Sequence, residues 1–464
     1  MELTGSDRKA LERAAIRVLA SNWHGHATVP SGGLYPHQWS WDSAFIAFGL
    51  QHWAPQRAAA ELLSLFGGQW CDGRVPHIVF NPAVPEEAYF PGPGFWQSSQ
   101  VPGSPPVATS GIIQPPVHAS AALAVLDHLP DPVGFAARIY PVLKAQTEYV
   151  ARRRIDPQTG LAFILHPWES GLDNCPSWDA PLAAVPADLS LFERYKRRDL
   201  DHAGEHERPT DGDYARYIRL ALAYRDHGYD DAWAHDEAEF AVVDPVFNTL
   251  WAASERAMAE IARRLRLDPT PHLEHAAAIT TALQGQLWAA GSELAEAYDM
   301  RSATLQPEIT VGGALPLLLP DLDQEIVKRT VTTLTGPEFG IGSTATFGVP
   351  SYDRTSAKYD ASRYWRGPTW MNTTWLVATG LRRHGFDELA DKLEDDLLIL
   401  AHRSGLWEYF NPVAGTGHGT YGFSWSAAIV LHILCSRRTR DLGDGHPLAR
   451  GRTVDSPSSR QELE

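Results

Sequence analysis

The sequence predicts an all-α fold in which helical hairpins close into a ring, an (α/α)6 barrel. Three observations lead there. About twelve or thirteen segments space their apolar residues as helices do, and none reads as a convincing period-2 strand. Long, aromatic-rich loops recur on alternate connections. Hairpins that put every second loop at one end would gather those loops at one mouth.

The elements follow in order. Residues 7–21 read as a helix, with Asp7 as N-cap and Leu11, Ala14, Ala15, Val18 and Leu19 on one face. A Gly-rich turn then leads to Tyr35, Trp39, Trp41 and Asp42, where a loop becomes the helix at about 41–50. Asp42 suits two roles equally at this stage, a first-turn acid favoured by the helix dipole or a ligand for sugar hydroxyls. Pro55 opens a third helix, to about 68. Residues 69–116 carry little regular structure, and so long an irregular stretch inside a compact domain points to function. Helices follow at about 117–128 and 132–153. Beyond a central stretch at 166–179 lies a polar, charge-dense segment ending in Arg208 and Tyr214, with the composition of a lid. Further helices are expected at 212–227, 236–265, 269–291, 310–318, 321–334, 370–384, 386–403 and 423–436. The Gly/Pro-broken 335–368 leads into Tyr364, Trp365 and Trp370, and Leu406–Pro412 carries Glu408. The expected division is one domain over 1–437, a lid at 186–214, and a disordered, dispensable tail at 438–464. The mouth would gather Tyr35–Asp42, Gln69–Phe95 with Tyr89, Gln114, Trp168–Asp179, Tyr364–Trp370 and Trp407–Glu408.

Composition narrows the function. The chain has 464 residues, 44% hydrophobic and 21% charged, enough for a large core. Length alone suggests two or three domains, yet no Ser/Gly-rich run or charge block divides the chain. A formal net charge of −16 argues against nucleic acid or an anionic membrane as partner. It leaves room for a small anion held by a local arginine. Cys71, Cys175 and Cys435 are odd in number and far apart, a pattern of reduced, cytoplasmic proteins that offers no metal site. The N-terminus carries acids where a secretory leader has bases, and no apolar run is long enough to span a bilayer.

Chemistry concentrates in His166–Asp179. These fourteen residues hold three carboxylates, two tryptophans, a histidine and an asparagine, with neither helical nor strand periodicity. Rings that cover sugar C–H faces, interleaved with groups that bond hydroxyls, make a carbohydrate site. A surface loop with packed tryptophans would have the same composition. Cleaving a glycosidic bond needs one carboxylic acid for the leaving oxygen and one carboxylate as base or nucleophile. Burial raises the acid's pKa and keeps it protonated. Asp173 between Trp168 and Trp178 suits the acid, and Glu408 among Trp407, Tyr409 and Phe410 suits its partner. Asp42, Glu169 and Asp179 compete for either role, and spacing does not rank the five.

The motifs Tyr35–Asp42, Gln114-Pro115-Pro116, Trp168–Asn174, Tyr364–Pro368 and Trp407-Glu408-Tyr409 together resemble glycoside hydrolase family 63. The likeness is to its short bacterial branch of mannosylglycerate and glucosylglycerate hydrolases and runs in order along roughly 7–437. It implies an inverting α-glycosidase on an (α/α)6 barrel, with no cofactor or catalytic metal and a small carbohydrate as substrate. By motif, the general acid falls on Asp173 and the general base on Glu408. Inversion then requires carboxyls about 6.5–9.5 Å apart, leaving room for water. Tyr35, Trp39, Trp41, Asp42, Gln114, Trp168, Tyr364, Trp365 and Trp370 match the sugar subsite. Glu169 and Asp179 match supporting positions. Arg208 and Tyr214 match lid positions that hold a carboxylate in the glycerate-specific members, and a guanidinium grips a carboxylate through two parallel bonds.

Three departures from that pattern bear on the substrate. Cys175 stands where a serine is usual, Gly419–Trp425 lacks the glutamine expected before Ser424-Trp425, and Pro82–Glu87 is inserted before Tyr89. Other readings remain. A neutral disaccharide or glycosylated metabolite would use the same carboxylates without Arg208. Sugar 2-epimerisation would use paired histidines from His37, His77, His118 and His166. A terpene-cyclase-like barrel would have to rely on Asp230-Asp231, a poor acid motif. A non-catalytic sugar-binding protein would keep the rings without needing both carboxylates.

Overall fold

The computed structural model describes residues 3–201 and 204–441. Six elements form a closed inner ring. They are the helices Ser40–Leu50, His118–Leu126 and Pro245–Arg264, the 3-10 helix Val311–Leu318, and the helices Met371–Arg383 and Ser424–Asp441. Each packs on the next, and the last packs back on the first. Six outer helices, Gly5–Ser21, Pro55–Phe66, Pro132–Arg153, Thr270–Gln286, Gln324–Thr335 and Asp387–Ser404, cover them. The architecture is the (α/α)6 barrel.

Burial explains which helix goes where. Every residue of Ser40–Leu50 and of Val311–Leu318 is buried, so these apolar segments have no face for solvent and stay inside. Pro55–Phe66 buries Ala58, Ala59, Leu62, Leu65 and Phe66 along one stripe and belongs outside. Glycine sets how closely the inner elements approach. A Cβ on Gly49 would lie 2.4 Å from the Ala428 backbone, where the first and last inner helices meet. One on Gly380 would lie 2.7 Å from Leu317.

Several expectations are corrected. The first helix is capped by Thr4 rather than Asp7. Asp7 is the reciprocal member of a capping box, its Oδ2 accepting the Thr4 N–H at 2.9 Å. The 236–265 helix is two, Asp231–Glu237 and Pro245–Arg264, because Asp244 caps the second and Pro245 opens it. Residues 310–318 wind as a 3-10 helix containing Gly312, Gly313 and Pro316. The helix Asp211–Asp226 is no ring member. It lies with Asp231–Glu237 in the connection between two barrel helices. Nine short strands exist among the described residues, in sheets of two, five and two. The longest has five residues, and Leu161–Ile164 is buried at every position, so neither length nor alternation announces them. The final helix continues to Asp441 past the expected end near 436, as Arg437 bonds Glu394 at 2.7 Å. The rest of the expected tail, 442–464, lies outside the described residues. Among the described residues no helix is long and apolar enough to cross a membrane.

Because Gly49 meets backbone rather than a movable side chain, Gly49→Ala should overpack the ring by about 1–3 kcal/mol. Denaturant unfolding followed by circular dichroism reads this. Gly5→Ala, with open space around it, should change stability by less than about 0.5 kcal/mol.

Candidate active site

The connections at one end of the barrel enclose a cavity of about 110 Å³. Its lining includes Tyr35, Trp39, Trp41, Asp42, Tyr89, Gln114, Trp168, Asp173, Arg208, Tyr214, Tyr364 and Glu408. Segments distant in sequence thus converge as the mouth was predicted to do. Trp365 and Trp370 do not line it. They lie one layer behind, their rings stacked at 3.8 Å, with Trp370 edge-on to Tyr364 at 5.0 Å and stacked on Tyr409 at 4.6 Å. Their place is to hold Tyr364, and large apolar rings are most stable there.

The loop carrying Asp173 is built from below. A 3-10 turn at Pro167–Ser170 ends at Gly171, whose φ of 73° suits glycine, and any Cβ there would strike the Trp41 ring. Asp173 then enters the cavity while its carbonyl accepts the Tyr217 hydroxyl at 2.8 Å. The Asn174 amide donates to the Tyr364 carbonyl at 3.1 Å, joining two walls. Beneath, Glu169 is gripped by Arg154 through two 2.9 Å bonds and accepts the Leu165 and Ile113 N–H groups. Arg154 also bonds Asp231 at 2.8 Å, which in turn holds Arg74 and Tyr149. Glu169 and Asp231 are therefore anchors, not cavity groups. Asp179 likewise faces away, held by Arg366 and by Lys358 at 3.4 Å. Cys175 is buried with its thiol directed to Ser177 at 3.6 Å, and burial pushes it up to about 12.

Glu408 comes from the strand Trp407–Phe410, paired with Gly417–Tyr421 through an irregularity between Trp407 and Tyr409. Its Oε1 accepts the hydroxyls of Tyr35 (2.9 Å) and Tyr364 (3.2 Å). Its Oε2 accepts Arg208 Nη2 (3.3 Å) and the Thr420 N–H (3.2 Å). Asp173 has no such set of donors. Burial pushes its carboxyl up to about 7, the Glu408 charge adds to that, and Arg208 opposes it. Asp42 is 4% exposed, and the hydrogen bond its carboxyl makes is to its own backbone N–H. Burial drives it well above the ordinary carboxylate range, with Glu408, Asp173 and Glu61 adding. Arg208 lies over the Tyr364 ring at 4.6 Å and donates from Nη1 to the Tyr35 hydroxyl at 3.2 Å.

Some lining residues were not anticipated. Tyr217 follows Tyr214 by three residues on one helix face, a legible signal. Asp199, Phe423 and Trp425 also line the cavity, while Phe90 falls within the expected Gln69–Phe95. Phe423 stands where a glutamine was expected, edge-on to Tyr35 at 5.9 Å. The insertion before Tyr89 is tied back by Glu86, which accepts the Gly94 N–H at 2.9 Å. The histidines read as structural. His37 accepts the Asn81 N–H, His77 bonds Ser110, His118 bonds Ser40 and Gln146, and His166 bonds the Tyr217 carbonyl. Burial lowers all four, His37 and His118 to about 4 and His166 to about 3, and of them His77 alone lines the cavity. No group of three or more His, Cys, Asp or Glu among the described residues is arranged to hold a metal ion.

Removing Glu169 strips a fully buried arginine of its bidentate partner and leaves Arg154 with Asp231 alone to balance it. Glu169→Ala should therefore cost about 3–5 kcal/mol, read by urea unfolding, and should disorder the Asp173 loop.

Comparison with known proteins places the chain in a family. The family described as "Mannosylglycerate hydrolase MGH1-like glycoside hydrolase domain" matches residues 35–426. A mannosylglycerate hydrolase of Rubrobacter radiotolerans is 37% identical over 93% of this chain and 98% of its own. A glucosylglycerate hydrolase of Mycolicibacterium hassiacum is 32% identical over 91% and 97%. Among solved structures, the family 63 mannosylglycerate hydrolase of Thermus thermophilus, in complex with Tris and D-glycerate, superposes with a TM-score of 0.84 at 38% identity, covering 91% of this chain and 99% of that one. The matched region takes in the cavity-lining residues from Tyr35 to Trp425, and the chain belongs to the MGH1-like glycoside hydrolases of family 63.

Proposed function

We propose that the chain hydrolyses the α-glycosidic bond of a small glycerate glycoside, glucosylglycerate or mannosylglycerate, with inversion at the anomeric carbon. The observation that carries this reading is the contrast between two carboxyls facing one cavity. Asp173, pushed up to about 7, keeps its proton near neutrality. Glu408 is wrapped by hydroxyl, guanidinium and amide donors that suit a carboxylate. Asp173 protonates the leaving oxygen as the C1–O bond breaks. Glu408 takes the proton of the water that bonds to C1 from the other side. Trp39, Trp41 and Trp168 offer faces to the sugar ring, and Asp42, if protonated as its burial favours, donates as well as accepts towards a hydroxyl.

Arg208 supports an anionic aglycone. Asp42, Asp173, Asp199 and Glu408 also line the cavity, and Arg208 is the guanidinium there that could neutralise a substrate carboxylate. The similar mannosylglycerate and glucosylglycerate hydrolases point the same way. A neutral disaccharide is the second reading, favoured by one observation. Arg208 already pairs with Glu408, so its charge is balanced without an anion. Residues 186–214 form the proposed lid, since Asp199, Arg208, Pro209 and Tyr214 close over the cavity. The lid is latched by the Tyr364 N–H donating to the Glu207 carbonyl at 2.9 Å. A cytoplasmic location is part of the proposal and rests on the cysteine usage.

Proton NMR of the purified enzyme with both glycerate glycosides should show β-sugar released first from one of them, whereas α-sugar would reassign both carboxyls. Asp173→Asn and Glu408→Gln should each lower kcat by roughly 10²–10⁴-fold. Because the acid works protonated and its pKa is raised, wild-type kcat should fall as pH climbs through about 7. Asp173→Asn should lose that limb. Hydrogen exchange within 186–214 should slow when substrate is added, and an unchanged loop would remove the lid.

A further inference from the structure

Glu408 has no acceptor site free for the water it would activate. A carboxylate offers about four lone-pair sites, and four donors hold them, Tyr35 and Tyr364 on Oε1 and Arg208 and Thr420 on Oε2. One donor has to leave before water can be deprotonated. The Thr420 N–H is fixed by the strand pairing of its neighbours. The tyrosine rings are wedged, Tyr35 against Trp39 and Tyr364 against Trp370.

Arg208 is different. Its two contacts, at 3.2 and 3.3 Å, are long beside the usual 2.7–2.9 Å of charge-assisted bonds. Its Nε–H is buried and meets no acceptor among the described residues. Two arginines elsewhere in this chain grip carboxylates side-on through Nε and Nη2 together, whereas Arg154 grips Glu169 through Nη1 and Nη2. Arg197 holds Asp199 at 3.0 and 2.6 Å, and Arg219 holds Glu239 at 2.7 and 2.8 Å. A substrate carboxylate that takes the unused Nε–H of Arg208 in this way takes one N–H of Nη2 as well, and pulls towards itself the group whose contact with Glu408 is only 3.3 Å.

We propose that Arg208 selects substrates by uncovering the base: it caps Glu408 in the empty site, and the carboxylate of an anionic aglycone draws it off. This rests on the glycerate-glycoside reading above and adds a consequence to it. Selectivity for the anion is exerted on turnover as well as on affinity. A neutral glycoside that fits the sugar subsite leaves the cap in place and is hydrolysed slowly.

Glycosyl fluorides isolate the base. The C1–F bond breaks with fluoride leaving unprotonated, water bonds to C1, and Glu408 takes its proton, so Asp173 is not needed as acid. The wild-type protein is assayed with α-glucosyl and α-mannosyl fluoride, with and without free D-glycerate, beside the two glycerate glycosides. D-glycerate should accelerate hydrolysis of the matching fluoride roughly tenfold or more, the scale of one charge-assisted hydrogen bond released. Arg208→Ala should hydrolyse the fluoride at the accelerated rate without glycerate, and glycerate should no longer affect it. If that variant does not fold, the wild-type response to glycerate decides alone. Cleavage of a glycerate glycoside, with fluoride hydrolysis unmoved or only inhibited by glycerate, overturns the cap and leaves the substrate reading standing. Cleavage of neither glycoside overturns both.

Discussion

The catalytic end of this barrel depends on a charge network with almost no access to water. Arg154 is fully buried and holds Glu169 from one side and Asp231 from another. Glu169 in turn receives two backbone N–H groups, from Leu165 just before the Asp173 loop and from Ile113 beside Gln114. A single guanidinium thereby ties the end of an outer helix, the loop with the proposed acid, and the Asp231–Glu237 insertion into one unit. Such networks contribute little net stability compared with apolar packing, and breaking one is costly. Their use here is positional.

Above that base, the cavity sorts its carboxyls by what surrounds them. Asp42 and Asp173 sit among rings with few donors, so burial and mutual repulsion favour their protonated forms. Glu408 sits among four donors instead. The same chemical group thus meets opposite surroundings, set in part by more distant neighbours such as Trp370, which wedges Tyr364 and so fixes its hydroxyl on Glu408. In a chain of net charge −16, one buried arginine places a positive charge among the four carboxyls that line the cavity.

Much of this was legible before any coordinates. Apolar spacing located the barrel helices closely, Pro132–Arg153 to the residue, and aromatic–carboxylate clusters marked the loops that line the cavity. The misses have physical causes. Strands two to five residues long, some buried on both faces, carry no alternation to read. The apparent 236–265 helix broke because a capping aspartate outweighs continuous periodicity. Trp365 and Trp370 share a motif with Tyr364, and adjacency in sequence does not say which ring of a cluster faces the cavity and which stands behind it.

By itself the sequence determined the helical periods, the turn and cap residues, the family motifs and the kinds of side chain available for chemistry, because these are local properties of short stretches. Only the tertiary structure decided that the ring closes through Gly49 against Ala428, since that contact joins the two ends of the chain. It also decided that Asp173 lies in apolar surroundings while Glu408 is saturated with donors. Protonation and hydrogen bonding depend on neighbours hundreds of residues away, such as Tyr35 on Glu408, and no local pattern encodes that distance.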